Sequence, residues 1–173
     1  SFEGSLMVQK GIGALDLAEQ EILSCRHGDA YGCNGAQMTA AGYVSGKGLG
    51  SEQDFPYKAR EVACKKIETV ENAESYKLLN RANKDVIKSA LMKYGPMFVT
   101  VQAGGSGWSG RTGKITSCKR TNGSNHVVTL IGWDEKGFIF RNSWGKNWGS
   151  SGDSWIGYGC DGFASIAGYF VVE

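Results

Sequence analysis

At 173 residues, with 41% hydrophobic and 21% charged residues, the chain is long enough to bury a core and too apolar for disorder or a fibre. A formal charge of +2 without a block of like charges gives no electrostatic footprint for nucleic acid or an anionic membrane, so neither is expected as a partner. No apolar run approaches the roughly 18 residues of a membrane span and no signal-peptide pattern is present, so a soluble chain without its targeting segment is expected.

Taken in chain order, the first half reads as helical. In LDLAEQEILSC, residues 15–25, Leu15, Ala18, Ile22 and Cys25 fall on one face and acids lead, as a helix N-terminus prefers. The glycine-punctuated GDAYGCNGAQ is a loop. MTAAGYVSGKG, residues 38–48, is a small-residue helix that ends in glycines. NKDVIKSALMKYGP predicts a further helix, capped by Asn83, striped by Val86, Ile87, Ala90 and Leu91, and stopped at Gly95-Pro96. Beyond it the runs MFVTVQA, HVVTLIGW, GFIFRN and GYFVV are short and β-rich, with glycine-containing turns between them. They predict an antiparallel sheet or small barrel. The change of pattern near residue 80 divides the chain into a helical lobe, 1–78, and a β lobe, 79–173, with an active cleft expected between them.

Five cysteines, at 25, 33, 64, 118 and 160, lack the paired C-x-x-C spacing of a structural zinc site. Two readings fit: disulfides in an oxidising compartment, or inert buried thiols. The odd count leaves at least one without a partner in the chain. No metal or cofactor is expected.

The stretch SNHVVTLIGWDEKGFIFRNSWGKNWG carries the chemistry. A histidine that moves protons needs a rigid mount, access to substrate and a partner that fixes its tautomer. If the runs on either side of the 134–137 turn form a hairpin, His126 and Asn142 lie at the same end of adjacent strands. The Asn oxygen then accepts the imidazole N–H, and Trp144 and Trp148 shield that bond from water. The plainer alternative is an edge histidine, a turn-forming asparagine and core tryptophans.

The arrangement resembles the papain-like cysteine peptidases. NHVVTLIGW followed by FRNSWGKNWG is similar to that family's histidine and asparagine motifs. LDLAEQEILSC, GCNGA and EQDFPY agree with it in the same order, over nearly the whole chain. The resemblance implies an α+β, two-lobe fold with a helical lobe against an antiparallel β-barrel-like lobe. It implies polypeptide substrates, His126 as general base, Asn142 as its orienter and Trp144 as cover. GCNGA is then a wall for an extended substrate, with Gly35 and Ala36 offering backbone hydrogen bonds. Gln37, Met38, Ser124 and Asn125 help shape side-chain pockets, and Trp148 joins Trp144 at the substrate side. The implied disulfides are Cys25–Cys64 and Cys118–Cys160. A secreted, lysosomal or vacuolar location follows.

One part of the pattern is missing. The family's nucleophile sits in a C-G-[S/A]-C-[W/Y] segment, which this sequence does not contain. The opening SFEGSLMVQKG resembles the later turns of the helix that starts at the nucleophile, so a front of roughly thirty residues is expected elsewhere. The unpaired Cys33 points the same way, since its usual mate lies in that front. A separate chain linked through Cys33, a truncation, and a paralogue that never had the segment all fit. Two departures affect detail: Ala36 stands where GCNGG has a second glycine, and the final WGSSGDSWIGYGCDG is short and glycine-rich. Asn122-Gly123-Ser124 reads as a hairpin turn in preference to a glycosylation sequon. The rival classes are a catalytically inactive papain-like binder of peptides or a partner, and a disulfide-bonded, lectin-like module.

Overall fold

The computed structural model describes residues 1–25, 31–105, 107–109, 113–116, 118–119, 121 and 123–172. The Asn122 turn and part of the loop before GCNG lie outside them. The chain divides into two compact units, one of Phe2–Lys77 with Phe170–Glu173, the other of Ser1 with Leu78–Tyr169. The division falls inside two strands, so it does not follow a linker.

In the first unit, α1 (Phe2–Lys10) turns Phe2, Ser5 and Leu6 inward. Phe2 meets Phe170 edge to face at 5.1 Å between ring centres. Gln9 behaves like a strand residue: its Nε2 donates to the Phe170 carbonyl and its Oε1 accepts the Val172 N–H. The second helix is shorter than its pattern predicts, α2 spanning Glu19–Cys25. The backbone of residues 16–18 is bonded elsewhere, Leu17 bridging to Ser51 and the Ala18 N–H donating to the Gly50 carbonyl. Those groups cannot also begin a helix.

Two buried polar side chains then tie α2 to the loops that follow. Gln20 donates to Ser24 Oγ and the Arg60 carbonyl and accepts the Lys58 N–H. Glu21 Oε2 accepts the Gly50 N–H at 2.7 Å. Tyr43 bonds to the same carboxylate; its phenol is pushed up by burial and by the Glu21 charge. Cys25–Cys64 closes the far end of α2. The predicted helix at 38–48 is a 3-10 turn, Met38–Ala41, running into α3, Gly42–Gly46.

The second unit opens on α4 (Lys84–Tyr94), where Asn83 Oδ1 accepts the Asp85 and Val86 N–H groups at 3.0 Å each. Ile87, Ala90 and Leu91 are its buried stripe, while Val86 is exposed. The strands are β1 (Ser75–Asn80), β2 (Met97–Val101), β3 (Lys114–Ile115), β4 (His126–Trp133), β5 (Gly137–Arg141), β6 (Asp153–Gly157) and β7 (Ile166–Val171). They form one sheet in the order β1-β7-β2-β4-β5-β6-β3. The β7, β2, β4, β5 and β6 neighbours are antiparallel, and the two-residue β3 runs parallel to its partner β6. The fold is therefore α+β with a mixed sheet. Met97, Val99 and Val101 alternate into the core with Leu130, Phe140 and Ile156, all fully buried.

The β4–β5 hairpin is set by its turn. Asp134 Oδ1 accepts the Lys136 and Gly137 N–H groups at 2.8 Å and Oδ2 accepts Trp155 Nε1–H at 2.9 Å. Gly137 is required there, because a Cβ would run into the Ile156 carbonyl and the Trp155 ring. The register pairs Trp133 with Phe138 and Thr129 with Arg141. His126, at the head of β4, and Asn142, immediately after β5, are thereby brought to one end of the sheet.

Candidate active site

His126 is mounted at the first residue of β4, opposite Val101 of β2. Its Nε2 lies 2.9 Å from Asn142 Oδ1. The same oxygen accepts the Ser143 backbone N–H at 2.8 Å. A backbone N–H can only donate, so the Asn142 atom it meets is the oxygen, and the His126 nitrogen facing that oxygen must carry the hydrogen. The neutral imidazole is thus held with Nε2 protonated and Nδ1 as the lone-pair nitrogen. A donor–acceptor arrangement of this kind prepares a general base.

Asn142 is 7% exposed. Its backbone N–H is fixed on the Gly152 carbonyl, and its Nδ2 has no hydrogen-bond partner among the described residues. The bidentate cross-strand pair of Arg141 and Asp153, at 2.8 and 3.0 Å, sits one residue before it. Its arginine is mostly exposed, so the pair aligns β5 with β6 more than it stabilises them.

Trp144 stacks on His126 with 5.1 Å between ring centres and 29° between planes. One face is against the imidazole while 45% of the residue remains exposed. Beneath it Trp148 meets Trp144 edge to face at 5.5 Å. Trp148 is only 9% exposed and belongs to the core cluster, so it supports Trp144 from inside. Its Nε1 donates to the Trp108 carbonyl, Trp108 Nε1 donates to Asp161 Oδ2, and Asp161 Oδ1 accepts the Lys119 N–H. Each buried indole N–H is satisfied, and the chain of bonds locks the rings under Trp144.

Asn125 acts on the other side of the histidine. Its Oδ1 accepts the Ala103 N–H at 2.8 Å, its Nδ2 donates to the Ala103 carbonyl at 2.9 Å, and its backbone N–H donates to Val101. The amide imitates a peptide group and extends the β2–β4 ladder one step beyond His126. Its polar atoms are therefore engaged with the protein's own backbone.

The GCNG stretch forms a 3-10 turn, Gly32–Asn34, followed by Gly35 at φ 101°. The Gly35 N–H donates to Gly32 and its carbonyl accepts from Tyr31, so its backbone groups hold the turn. Ala36 and Gln37 are exposed and Met38 is half-buried; Ser124 is exposed. Cys25–Cys64 and Cys118–Cys160 are bridged. Cys33 is the free cysteine and is exposed, with Glu61 accepting its backbone N–H.

Ser143, Trp108 and Asp161 were not identified by sequence reasoning. Ser143 acts through its backbone N–H, which any residue but proline supplies. Trp108 and Asp161 are far from the histidine in sequence and share no motif with it.

The papain family cysteine protease model matches residues 1–172. Zingipain-2 of Zingiber officinale is 32% identical, the match covering 80% of this chain and 65% of the relative. Cathepsin K of Mus musculus is 30% identical over 88% of this chain and 49% of its own length. The chain thus spans about half to two thirds of such relatives. Among solved structures, the bromelain protease of Ananas comosus, in complex with the E64 inhibitor, superposes with a TM-score of 0.86 at 30% identity. That match covers 99% of this chain and 85% of the other. The cysteine protease CMS1MS2 of Carica candamarcensis, in complex with E-64, gives a TM-score of 0.87 at 25% identity, over 99% and 84%. With a family match end to end and the fold shared across nearly every residue, the chain belongs to the papain family of cysteine proteases.

Proposed function

We propose that the protein carrying this chain hydrolyses peptide bonds by cysteine catalysis, with His126 as general base and Asn142 as its orienter. The observation that supports this most is the Asn142 oxygen shared by the Ser143 N–H and His126 Nε2, under the stacked Trp144 ring. That arrangement leaves Nδ1 to take the proton of a thiol. The thiolate attacks the substrate carbonyl, and the imidazolium returns its proton to the departing amine. Water, deprotonated by the same nitrogen, then cleaves the thioester. Trp144 keeps solvent off the His126–Asn142 bond, which strengthens it.

The nucleophile belongs to a cysteine outside this sequence. Cys25 is bonded to Cys64, and no C-G-[S/A]-C-[W/Y] segment is present. The segment that bears it is a partner of this chain, joined through Cys33 or through the backbone. In the first unit we assign substrate binding to Ala36 and Met38, with Gly35 holding their turn; in the second we assign it to Ser124 and the Asn125 backbone, with Trp148 as the support of Trp144. Two disulfides fit an oxidising compartment, which makes a secreted, lysosomal or vacuolar location our reading.

The test joins the chain to its cysteine-bearing segment and measures hydrolysis of peptides and esters. This chain alone is expected to be inert, and the complete protein active until its thiol is alkylated. In the complete protein His126→Ala should cost about 10²–10⁴-fold, the usual worth of a positioned base. Asn142→Ala should cost less, about ten- to a hundredfold, since it removes one hydrogen bond to a group that becomes charged. A complete protein that binds peptides without cleaving them would establish an inactive binding protein instead.

A further inference from the structure

A cavity of about 470 Å³ opens where β2 ends, lined by Gln102, Ala103, Gly104, Gly105, Lys119, Thr121 and Asp161. Its floor is held by three contacts: the Gln102 N–H donates to the Asp161 carbonyl, the Asp161 N–H to the Lys119 carbonyl, and the Lys119 N–H to Asp161 Oδ1. The Cys118–Cys160 bridge fixes the residues on either side. Both Asp161 oxygens are occupied by N–H donors, from Lys119 and Trp108. The Lys119 ammonium makes no ion pair among the described residues, and the Gln102 amide makes no side-chain hydrogen bond among them. Lys119 Nζ lies over Gly105, 3.9 Å from the point a Cβ would occupy there. Gly104 and Gly105 sit at φ 140° and 79° and place bare backbone at the rim. Among the described lining residues the cavity therefore offers a cation and an amide, while the Asp161 carboxylate is already satisfied by the scaffold.

The cavity is adjacent to the histidine. Val101 pairs with His126, and Ala103 is clamped by Asn125. Along a strand, two residues cover about 7 Å. We propose that this cavity is a specificity subsite of the hydrolysis proposed above, taking a carboxylate that the substrate carries within about two residues of the scissile bond. Lys119 is its charge partner and Gln102 its hydrogen-bond donor. The inference rests on the peptidase reading for its link to cleavage, but not for the binding itself.

Two carboxylates qualify, a side-chain Asp or Glu and a free peptide C-terminus. The binding arm titrates this protein with three acetylated tripeptides: a Glu peptide with an amide end, its Gln counterpart, and the Gln peptide with a free terminus. NMR shifts at Gly104, Gly105 and Lys119 report occupancy. At least one carboxylate peptide should bind about tenfold tighter than the amide-capped Gln peptide, and which one does so identifies the source. Lys119→Met should bring it to the Gln level, while Lys119→Arg should retain the preference. Equal binding of all three, or a preference that survives Lys119→Met, overturns the proposal. The kinetic arm uses the complete protein with its nucleophile and places Glu or Gln at each position within two of the cleaved bond. A Glu-over-Gln ratio in kcat/KM of about tenfold at one position, lost in Lys119→Met, is the expected result. Cleavage without such a position refutes the subsite. Carboxylate binding without cleavage of any peptide refutes the peptidase reading, and the subsite with it, while the cavity stands as a carboxylate-binding site.

Discussion

Asn142 decides which nitrogen of His126 is basic, and it does so through a neighbour that has no catalytic chemistry. The Ser143 N–H pins the amide oxygen, and the oxygen pins the Nε2 hydrogen. In the neutral ring Nδ1 must then be the unprotonated nitrogen. Long-range ¹H–¹⁵N correlation spectra above the imidazole's titration should therefore show the Nε2–H tautomer as the dominant species. Asn142→Ala should produce a mixture. A wild-type spectrum dominated by Nδ1–H would remove the base from the proposed mechanism. The hairpin that brings His126 to Asn142 was legible in the apolar runs, and the roles given to those two and to Trp144 were legible through the resemblance of their motifs to the papain-like peptidases. Ser143, Trp108 and Asp161 were not. A backbone donor has no residue type to read, and the ring cluster under Trp144 is assembled from distant loops.

At the scale of elements, local signals worked where the chain satisfies its own backbone. The Asn83 cap and the Gly95 stop of α4 appear where the sequence put them, with Gly95 at φ 85° donating to the Leu91 carbonyl. Asn83→Ala removes an acceptor shared by two N–H groups and should cost about 1 kcal/mol, within the range of 0.5–2 for N-caps. Urea denaturation followed by circular dichroism measures it; an unchanged midpoint would mean that the packed stripe alone sets the stability of α4. The signals failed where tertiary bonds compete. The apolar pattern of residues 15–25 suits a helix from its first residue, yet the bridge to Ser51 takes residues 16–18. Three strands were missed, β1, β3 and β6, the first two at the edges of the sheet. The β1 sequence SYKLLN has no clean alternation, β3 is two residues long, and β6 lies in a glycine-rich stretch.

Cys118–Cys160 is the cross-link that joins the cavity's two sides, at a sequence separation of 42. Loop entropy alone assigns a closure of that length about 4 kcal/mol. The Cys118→Ser/Cys160→Ser double variant should lose stability of that order in denaturant melts. It should also weaken carboxylate binding at Lys119, whose N–H and carbonyl are both held on Asp161, next to Cys160.

For the whole molecule, two carboxyls give stability opposite dependences on pH. Glu19 reaches solvent, yet the packing around it penalises its charge, and Glu3, Glu52 and Asp16 add like charge, so its carboxyl is held above the ordinary value. A raised pKa in the folded state means that folding favours the proton. The stabilisation from Glu19 is complete below its unfolded value of about 4.5 and is lost as pH rises through the higher folded value. Asp134 is the reverse. The Lys136 N–H, the Trp155 indole and the Gly137 N–H hold its carboxyl below the ordinary value. Its contribution is present above about 3.8 and disappears as pH falls through the lower folded value. The two windows do not overlap. Glu19→Gln should therefore gain on the wild type as pH rises above 4.5 and show its smallest advantage in acid. Asp134→Asn should be less stable than the wild type at neutral pH, with the gap closing below 3.8 as the wild-type carboxyl takes up its own proton. Equilibrium unfolding of the three proteins between pH 2.5 and 7.5 separates the effects. A Glu19→Gln difference that stays constant across that range would show that the acidic neighbours leave the Glu19 proton where an unfolded chain has it.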